Sequence, residues 1–427
     1  MFVGLDDTDS LSGGCTTYLA SLMMDKLGLF GDSEPEDDAS LPKNRKFVNY
    51  PHLIRLNPNI PYKTRGNGAI AFWVPDGMVD KARELVFKFV AGQARLDEEN
   101  TNPGIAFVRD YSKLMLLENL YKKAVSEHVT LREVEKIAYE IGAEIYGFNN
   151  GRGVIGALSS IGATLCDDHT FELLAYRLKK NYGLEKKIDI DSVRNMNKRM
   201  FPKVFDSIDP QTGQLLLTPK GYDPVFCGIR GESAQEVNRA WNMIKIQEEI
   251  ERIQIFVSNQ ATDAHLREKK IKQIKPYDCV TVKGVVSKKP TTIQGGHVLF
   301  GLQDDSSSIE CAAYEPTGEF RDEVKKLIVG DVIRVSGGIG KHTTTINLEK
   351  LEILQLAENT KKISPLCCDK SMSSAGRNKG YKCKKCGRRL GPEVAIIRKT
   401  KRKAKLGLYV VPPRARRHLT KPPHRPG

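Results

Sequence analysis

Between residues 280 and 353 the chain carries a hydrophobic pattern that few architectures satisfy. Residues 280–286, 297–302 and 309–314 read as three strands, and 320–328 as an amphipathic helix. Two further strands follow at 330–335 and 345–353. Three strands, a helix and two strands within about 80 residues is the order of a five-stranded OB barrel. Such barrels bind single-stranded nucleic acid or dock proteins. Aromatics are sparse here (Phe300, Tyr314), so contacts to a nucleic-acid backbone are expected more than base stacking.

What surrounds the barrel favours a polyanion. The 427 residues carry a net charge of +15, and eleven Lys or Arg with no carboxylate lie from Arg398 to Gly427, which leaves only +4 for the rest. A segment this basic, with Tyr409, His418 and His424 among its charges, fits nucleic acid, although a solvated tail is the usual reading of such a run. Just before it stand Cys367, Cys368, Cys383 and Cys386. The pair Cys383 and Cys386, followed by Gly387, has the spacing of a zinc knuckle. Cys367 and Cys368 are adjacent, a contracted knuckle that leaves the fourth ligand open. Nine cysteines in all, otherwise scattered, suit a reducing compartment without disulfides. No apolar run approaches the roughly 20 residues of a membrane helix, and no secretory signal is legible, so a cytoplasmic location is expected.

The N-terminus supplies the chemistry. A short apolar strand runs into Asp6, Asp7, Thr8, Asp9 and Ser10, and Gly13, Gly14, Cys15, Thr16 and Thr17 open an apolar stretch that reads as a helix over 18–27. Clustered carboxylates suit Mg²⁺, which usually brings phosphates with it, and a helix N-terminus suits the phosphate. Thr16 and Thr17 place hydroxyls where one could be phosphorylated. Asx-turns and an N-cap with nothing bound would account for the same residues. Further on, Lys63 and Arg65 with Gly66 and Gly68 form a candidate phosphate cradle, or a hairpin turn with solvent-facing cations. Gly151, Arg152 and Gly153 open another apolar stretch, either an anion-facing helix start or close packing through Gly156 and Ser160. Residues 171–181 read as helical, 219–230 as a Gly- and Pro-punctuated loop, and 234–253 as amphipathic, which suggests an α+β sandwich. The acidic run 32–38 reads as a surface insertion.

Taken together, these residues resemble the archaeal tRNA-isoleucine 2-agmatinylcytidine synthetase family over nearly the whole chain. The Asp6–Thr17 motif, the stretch from Arg55 to Gly68, Gly151 to Gly153, Asn259 and Gln260, the barrel, the cysteines and the closing 417–422 segment carry the likeness. The resemblance implies a multidomain α+β protein: a kinase-like α/β domain at 1–145, a ferredoxin-like domain at 146–258, a linker at 259–276, the OB-fold at 277–357, and a zinc ribbon with a basic tail at 363–427. It implies an ATP-dependent ligase that joins agmatine to the wobble cytidine of the CAU anticodon of an isoleucine tRNA, with ATP, Mg²⁺ and Zn²⁺ and without a membrane or a stable protein partner. Asp6, Asp7 and Asp9 would hold Mg²⁺, and Thr8, Lys63, Arg65, Gly66 and Gly68 the phosphates. Thr16 would be the family's phosphorylated threonine. Agmatine would lie in the middle domain near Gly151, Arg152 and Gly153. Arg398, Lys399, Lys401, Arg402, Arg416, Arg417, His418 and Lys421 would grip tRNA. The rival readings are a non-enzymatic single-strand binder built on the barrel and ribbon, and a small-molecule kinase with an appended RNA module.

Overall fold

The computed structural model describes residues 1–427 except 11–12, 30–48, 64–65, 220, 222–223, 395 and 426–427. Arg65 and the acidic run 32–38 therefore lie outside the described residues.

The first two-thirds of the chain builds one nine-stranded sheet in the order β5-β4-β1-β3-β2-β9-β6-β8-β7. Its strands are β1 (Phe2–Asp6), β2 (His52–Arg55), β3 (Gly68–Trp73), β4 (Gly104–Val108), β5 (Glu144–Gly147), β6 (Thr170–Arg177), β7 (Val204–Phe205), β8 (Val225–Gly231) and β9 (Ile250–Ser258). The seam between the two halves is the parallel pair β2–β9, with His52 opposite Val257 and Leu53 opposite Ser258. Asn259 extends that seam with its side chain. Its Oδ1 accepts from Arg55 N–H (2.8 Å) and its Nδ2 donates to Arg55 C=O (2.9 Å), as a further strand residue would.

Alternation along β1 decides what each face meets. Val3 and Leu5 pack under α1 (Thr16–Leu27) and α2 (Val79–Gln93), beside Leu19, Met23 and Val86. Phe2 faces the other way, into a core shared with Leu117 and Leu120 of α3 (Leu114–Ser126), Val134 of α4 (Leu131–Ile141) and Leu158 of α5 (Gly153–Ile161). Gly4 lies on that same face, where a Cβ would come within 2.0 Å of Ala157 O, so α5 lies almost on the backbone of β1. Asp6, two residues on, points the same way.

The middle segment departs from the sequence reading. Residues 171–181, expected as helix, contain β6, which is buried along its whole length between β9 and β8. Burial on both faces removes the polar alternation that marks a strand. Residues 225–230, expected as loop, are strand β8. The stretch 234–253 divides into α7 (Ala234–Trp241) and the start of β9. α6 (Ile190–Met200) completes the helices of this half.

Next come β10 (Arg267–Glu268), β11 (Cys279–Thr292), β12 (Val298–Gln303), β13 (Ser308–Ala313), the short helix α8 (Glu319–Val324), β14 (Val332–Ile339) and β15 (Thr345–Gln355). Pairings β11–β12, β12–β13, β13–β15, β15–β14 and β14–β11 close the five-stranded barrel that the pattern anticipated. The stretch 259–276 is no slack tether: Asn259, Gln260 and His265 are buried, and His265 Nε2 meets Glu349 of the barrel at 3.0 Å. Among the described residues, no helix is long and apolar enough to cross a membrane.

Candidate active site at the end of the first strand

α5 comes so near β1 and β4 because its contact positions are glycines. A Cβ on Gly153 would lie 2.5 Å from Gly104 N, and one on Gly156 only 1.8 Å from Asp6 Oδ2. The Gly151–Gly153 segment is thus chiefly a close-packing device, and it carries Arg152 to the carboxylates: Arg152 Nε lies 3.4 Å from Asp7 Oδ2, with the guanidinium 5.5 Å from the Tyr62 ring centroid. Arg152 lines the same cavity as the carboxylates, whereas Gly151 and Gly153 lie behind its lining.

At the strand's end the backbone turns sharply, with Asp7 at φ 55°. Burial pushes the Asp6 carboxyl well above the ordinary range, and the neighbouring Asp7 charge adds to the effect. Burial carries Asp7 up to about 6, although Arg152 opposes the shift. Asp7 Oδ2 is buried and receives no hydrogen bond. Two crowded carboxyls that resist ionisation, one with an oxygen that meets only the Arg152 guanidinium at 3.4 Å, fit a divalent cation, which would stabilise the charged form of both.

Asp9 stands apart from them. Its Oδ1 accepts from Thr16 N–H (2.5 Å) and from Thr16 Oγ1 (2.9 Å), while Thr8 Oγ1 donates to Thr16 Oγ1 (2.9 Å). Among the described residues only the cysteine quartet forms a group of three or more metal-ligating side chains with donor atoms all within 4.8 Å. The three aspartates therefore do not form one compact cage. Asp6 and Asp7 lie together at the end of β1, and Asp9 is engaged by the first residue of α1.

Thr16 stands at the meeting of two cavities. The first, of about 450 Å³, is lined by the carboxylates, by the apolar Leu56, Val129, Leu131 and Ile155, and by Lys63. Lys63 Nζ also donates to Pro58 C=O. The second, of about 390 Å³, opens on the other side of Thr16, between the two halves of the sheet. Gly68 lines both. One floor residue of the second cavity escaped the sequence analysis: Glu172, buried, lies 3.1 Å from Arg230 Nε and 3.7 Å from Arg55 Nη2, and it accepts from Gln260 Nε2. Burial alone would raise Glu172, but the two guanidiniums hold it below the usual carboxylate range. A charged residue inside the apolar run of β6 was the available signal.

The cysteines converge. All four sulfurs lie within 4.8 Å of one another, with Cys367 to Cys386 at 3.6 Å and Cys367 to Cys368 at 3.9 Å. The edge of a ZnS₄ tetrahedron with Zn–S of about 2.3 Å is about 3.8 Å, so the set fits zinc. The contracted knuckle reaches it because Cys368 and Asp369 both turn into left-handed backbone, at φ 50° and 61°.

The basic segment is docked rather than loose. Arg402 makes a two-pronged contact with buried Asp331 (2.6 and 2.7 Å), and Arg416 pairs with Asp206 (2.6 Å). Arg417 pairs with Glu349 (3.3 Å), and Lys421 with Asp168 (2.9 Å). His418 contacts Arg230 and Gln260. These five, expected to grip tRNA, have their polar groups engaged within the protein. Arg398, Lys399 and Lys401 remain exposed, although Lys399 also meets Glu358 at the surface.

The fold joins a cavity lined by carboxylates and a buried threonine to an OB-fold barrel and a cysteine quartet that fits zinc, the make-up of a multidomain nucleic-acid-directed protein. Four family models match: the TiaS TCKD domain over residues 2–84, the TiaS FLD domain over 151–265, the OB-fold nucleic acid binding domain over 280–354, and the TiaS C-terminal zinc ribbon domain over 364–403. The tRNA-isoleucine 2-agmatinylcytidine synthetase TiaS of Pyrococcus horikoshii is 45% identical, covering 99% of this chain and 96% of the relative. That of Methanocaldococcus jannaschii is 40% identical, covering 99% and 98%. Among solved structures, a complex of TiaS with its isoleucine tRNA and ATP superposes with a TM-score of 0.87 at 37% identity, covering 100% of this chain and 97% of that one. A complex of TiaS with the same tRNA, AMPCPP and agmatine gives 0.83 at 36% identity, covering 99% and 96%. The chain belongs to the tRNA-isoleucine 2-agmatinylcytidine synthetase family.

Proposed function

We infer that this chain is an ATP-dependent ligase that joins agmatine to the wobble cytidine of an isoleucine tRNA bearing a CAU anticodon, acting in the cytoplasm. The observation that carries the assignment of its parts is the Thr16 hydroxyl, hydrogen-bonded to Asp9 at the junction of the two cavities. In this reading the first cavity takes ATP, with the base against Leu131, Val129 and Ile155 and the phosphates toward Asp6 and Asp7. Mg²⁺ held by those two carboxylates would neutralise phosphate charge, in keeping with its habit of using one or two carboxylates together with phosphate oxygens. Lys63 and the backbone at Gly68 add donors from the lining of the same cavity, while Gly66 lines the second.

Asp9 is placed to accept the Thr16 proton as Oγ1 takes a phosphoryl group, and Thr8 to orient that hydroxyl. Cytidine's ring carbonyl oxygen is a poor leaving group until it takes a phosphoryl group from ATP, the remaining nucleotide leaving as that P–O bond breaks. The primary amine of agmatine then attacks the activated carbon, the C–O bond breaks, phosphate leaves, and the amine gives up a proton. Agmatine and the unstacked cytidine meet in the second cavity, which opens onto Thr16 from the middle domain. The barrel and the exposed Arg398, Lys399 and Lys401 serve the rest of the tRNA.

ATP consumption by the purified chain, measured with and without tRNA and agmatine, tests this. Consumption that needs both supports a ligase. Turnover on a small metabolite without RNA would favour the kinase reading, and no turnover with tight tRNA binding the non-enzymatic one. Asp7→Ala abolishes modification and leaves tRNA affinity nearly intact.

A further inference from the structure

The second cavity has one wall that belongs to neither half of the sheet. His418 reaches it from the C-terminal segment beyond the zinc ribbon. That segment is fixed by its backbone, with Ala261 N–H donating to His418 C=O (2.8 Å) and Asp263 N–H to Leu419 C=O (2.9 Å). Arg417 and Thr420 on either side hold Glu349 of the barrel.

The ring's own contacts define its protonation. Nδ1 lies 2.9 Å from Arg230 Nη2 and 3.2 Å from Gln260 Oε1. A guanidinium has only donors and Arg230 is the nearer of the two, so Nδ1 accepts from Arg230 and the ring proton sits on Nε2; Gln260 Oε1, itself an acceptor, then lies beside Nδ1 without a hydrogen bond to it. Gln260 is committed elsewhere, its Nε2 donating to Glu172. The charged groups facing the ring are Arg55, Arg230 and Lys63, all cationic; with burial they hold His418 well below its ordinary range. The far edge abuts the Gly66 turn, where a Cβ would lie 3.1 Å from Nε2 and 2.6 Å from Arg55 Nη1. Arg230 is thus held between Glu172 on one side and His418 on the other.

We propose that His418 is a positioning residue of the reaction centre: it accepts a hydrogen bond from Arg230, abuts Gly66, and thereby sets the cationic wall that faces Thr16 across the second cavity. This rests on the reading of that cavity as the meeting place of cytidine and agmatine. The closing segment of the chain then completes the site, and seating it ties the ribbon and barrel to the chemistry.

The test compares His418→Asn, His418→Gln and His418→Ala in the full-length chain, measuring kcat and KM for agmatine and Kd for tRNA. The Asn amide oxygen can replace Nδ1 as acceptor, whereas the longer Gln amide reaches the position of Nε2. The expected result is kcat within about threefold for Asn and a loss of about tenfold or more for Gln and Ala, with tRNA Kd within about twofold throughout. Loss of tRNA affinity at unchanged kcat would overturn the proposal and return His418 to RNA contact. Parallel losses in all three variants that follow their melting temperatures would overturn it as well. A second measurement does not depend on turnover: in ¹⁵N-histidine-labelled protein, His418 Nδ1 shows the signal of a bare ring nitrogen accepting a hydrogen bond, and Arg230→Gln shifts it. A protonated Nδ1 would refute the geometry even if the wild type made no adduct. The wild-type reaction run alongside separates failure of this proposal from failure of the functional reading.

Discussion

A single methyl group placed on α5 tests whether Asp6 must stand where it does. At Gly156 a Cβ would lie 1.8 Å from Asp6 Oδ2, 2.5 Å from Asp6 Cγ and 2.9 Å from Leu56 Cδ1. Ordinary contact distances are about 3.5 Å, so in Gly156→Ala the carboxylate oxygen must move by roughly 1.5 Å or the helix must lift from β1. Overpacking of this kind costs about 1–3 kcal/mol, against which alanine's better helix propensity returns about 1 kcal/mol. The variant therefore folds, with its melting temperature lower by several degrees. Its chemistry suffers more, because a displacement of about 1 Å at a reacting centre can lower the rate by about 10²-fold. Agmatine incorporation measured at saturating substrates should fall by about that factor, with tRNA Kd from filter binding within about twofold. Gly92→Ala, in α2 with no atom within 4 Å of the added methyl, is the control and keeps wild-type kcat. A folded Gly156→Ala protein with kcat within about threefold of wild type would refute the role given to Asp6.

Asp7 gives a pH signature. Its carboxyl rises from 3.8 to about 6 on folding, a penalty on the ionised form of about 3 kcal/mol. The folded state holds this proton more tightly than the unfolded state, so metal-free stability falls as pH rises from about 4 through 6. Mg²⁺ favours the ionised form, so its stabilising effect in thermal melts should be small at pH 5 and large at pH 7.5, and absent in Asp7→Asn. Equal Mg²⁺ effects at both pH values would contradict this. Arg402→Ala should lower unfolding free energy by about 3–5 kcal/mol, because it strands the buried Asp331 charge, while leaving tRNA affinity nearly unchanged in the cold. Wild-type stability in urea together with weakened tRNA binding would show that Arg402 serves RNA after all.

Legibility in the sequence followed how local each signal was. The barrel was readable because its strands are short apolar runs rich in β-branched residues and separated by turn residues. The Asp6–Thr16 motif was readable because its parts lie within a dozen residues, yet the division of labour inside it was not. Spacing alone does not say that Asp9 turns to Thr16 while Asp6 and Asp7 stay together. β6 was misread because both faces are buried, which left its charged floor residue, Glu172, without a strand to sit on. The internal pairing of part of the tail was hidden for a related reason. Asp206, Asp331 and Glu349 are far from it in sequence, so eleven uncompensated cations looked like an RNA arm. The partners of Arg402, Arg416 and Arg417 among them are scattered carboxylates that only the fold brings near.

The central claim is that this chain attaches agmatine to one particular cytidine. The most direct measurement is mass spectrometry of the nucleosides from an isoleucine tRNA transcript with a CAU anticodon, incubated with the protein, ATP, Mg²⁺ and agmatine. The account predicts a cytidine carrying agmatine with loss of one water, confined to the wobble position and absent when ATP is omitted. An unmodified wobble cytidine in the presence of folded, tRNA-bound protein would contradict it.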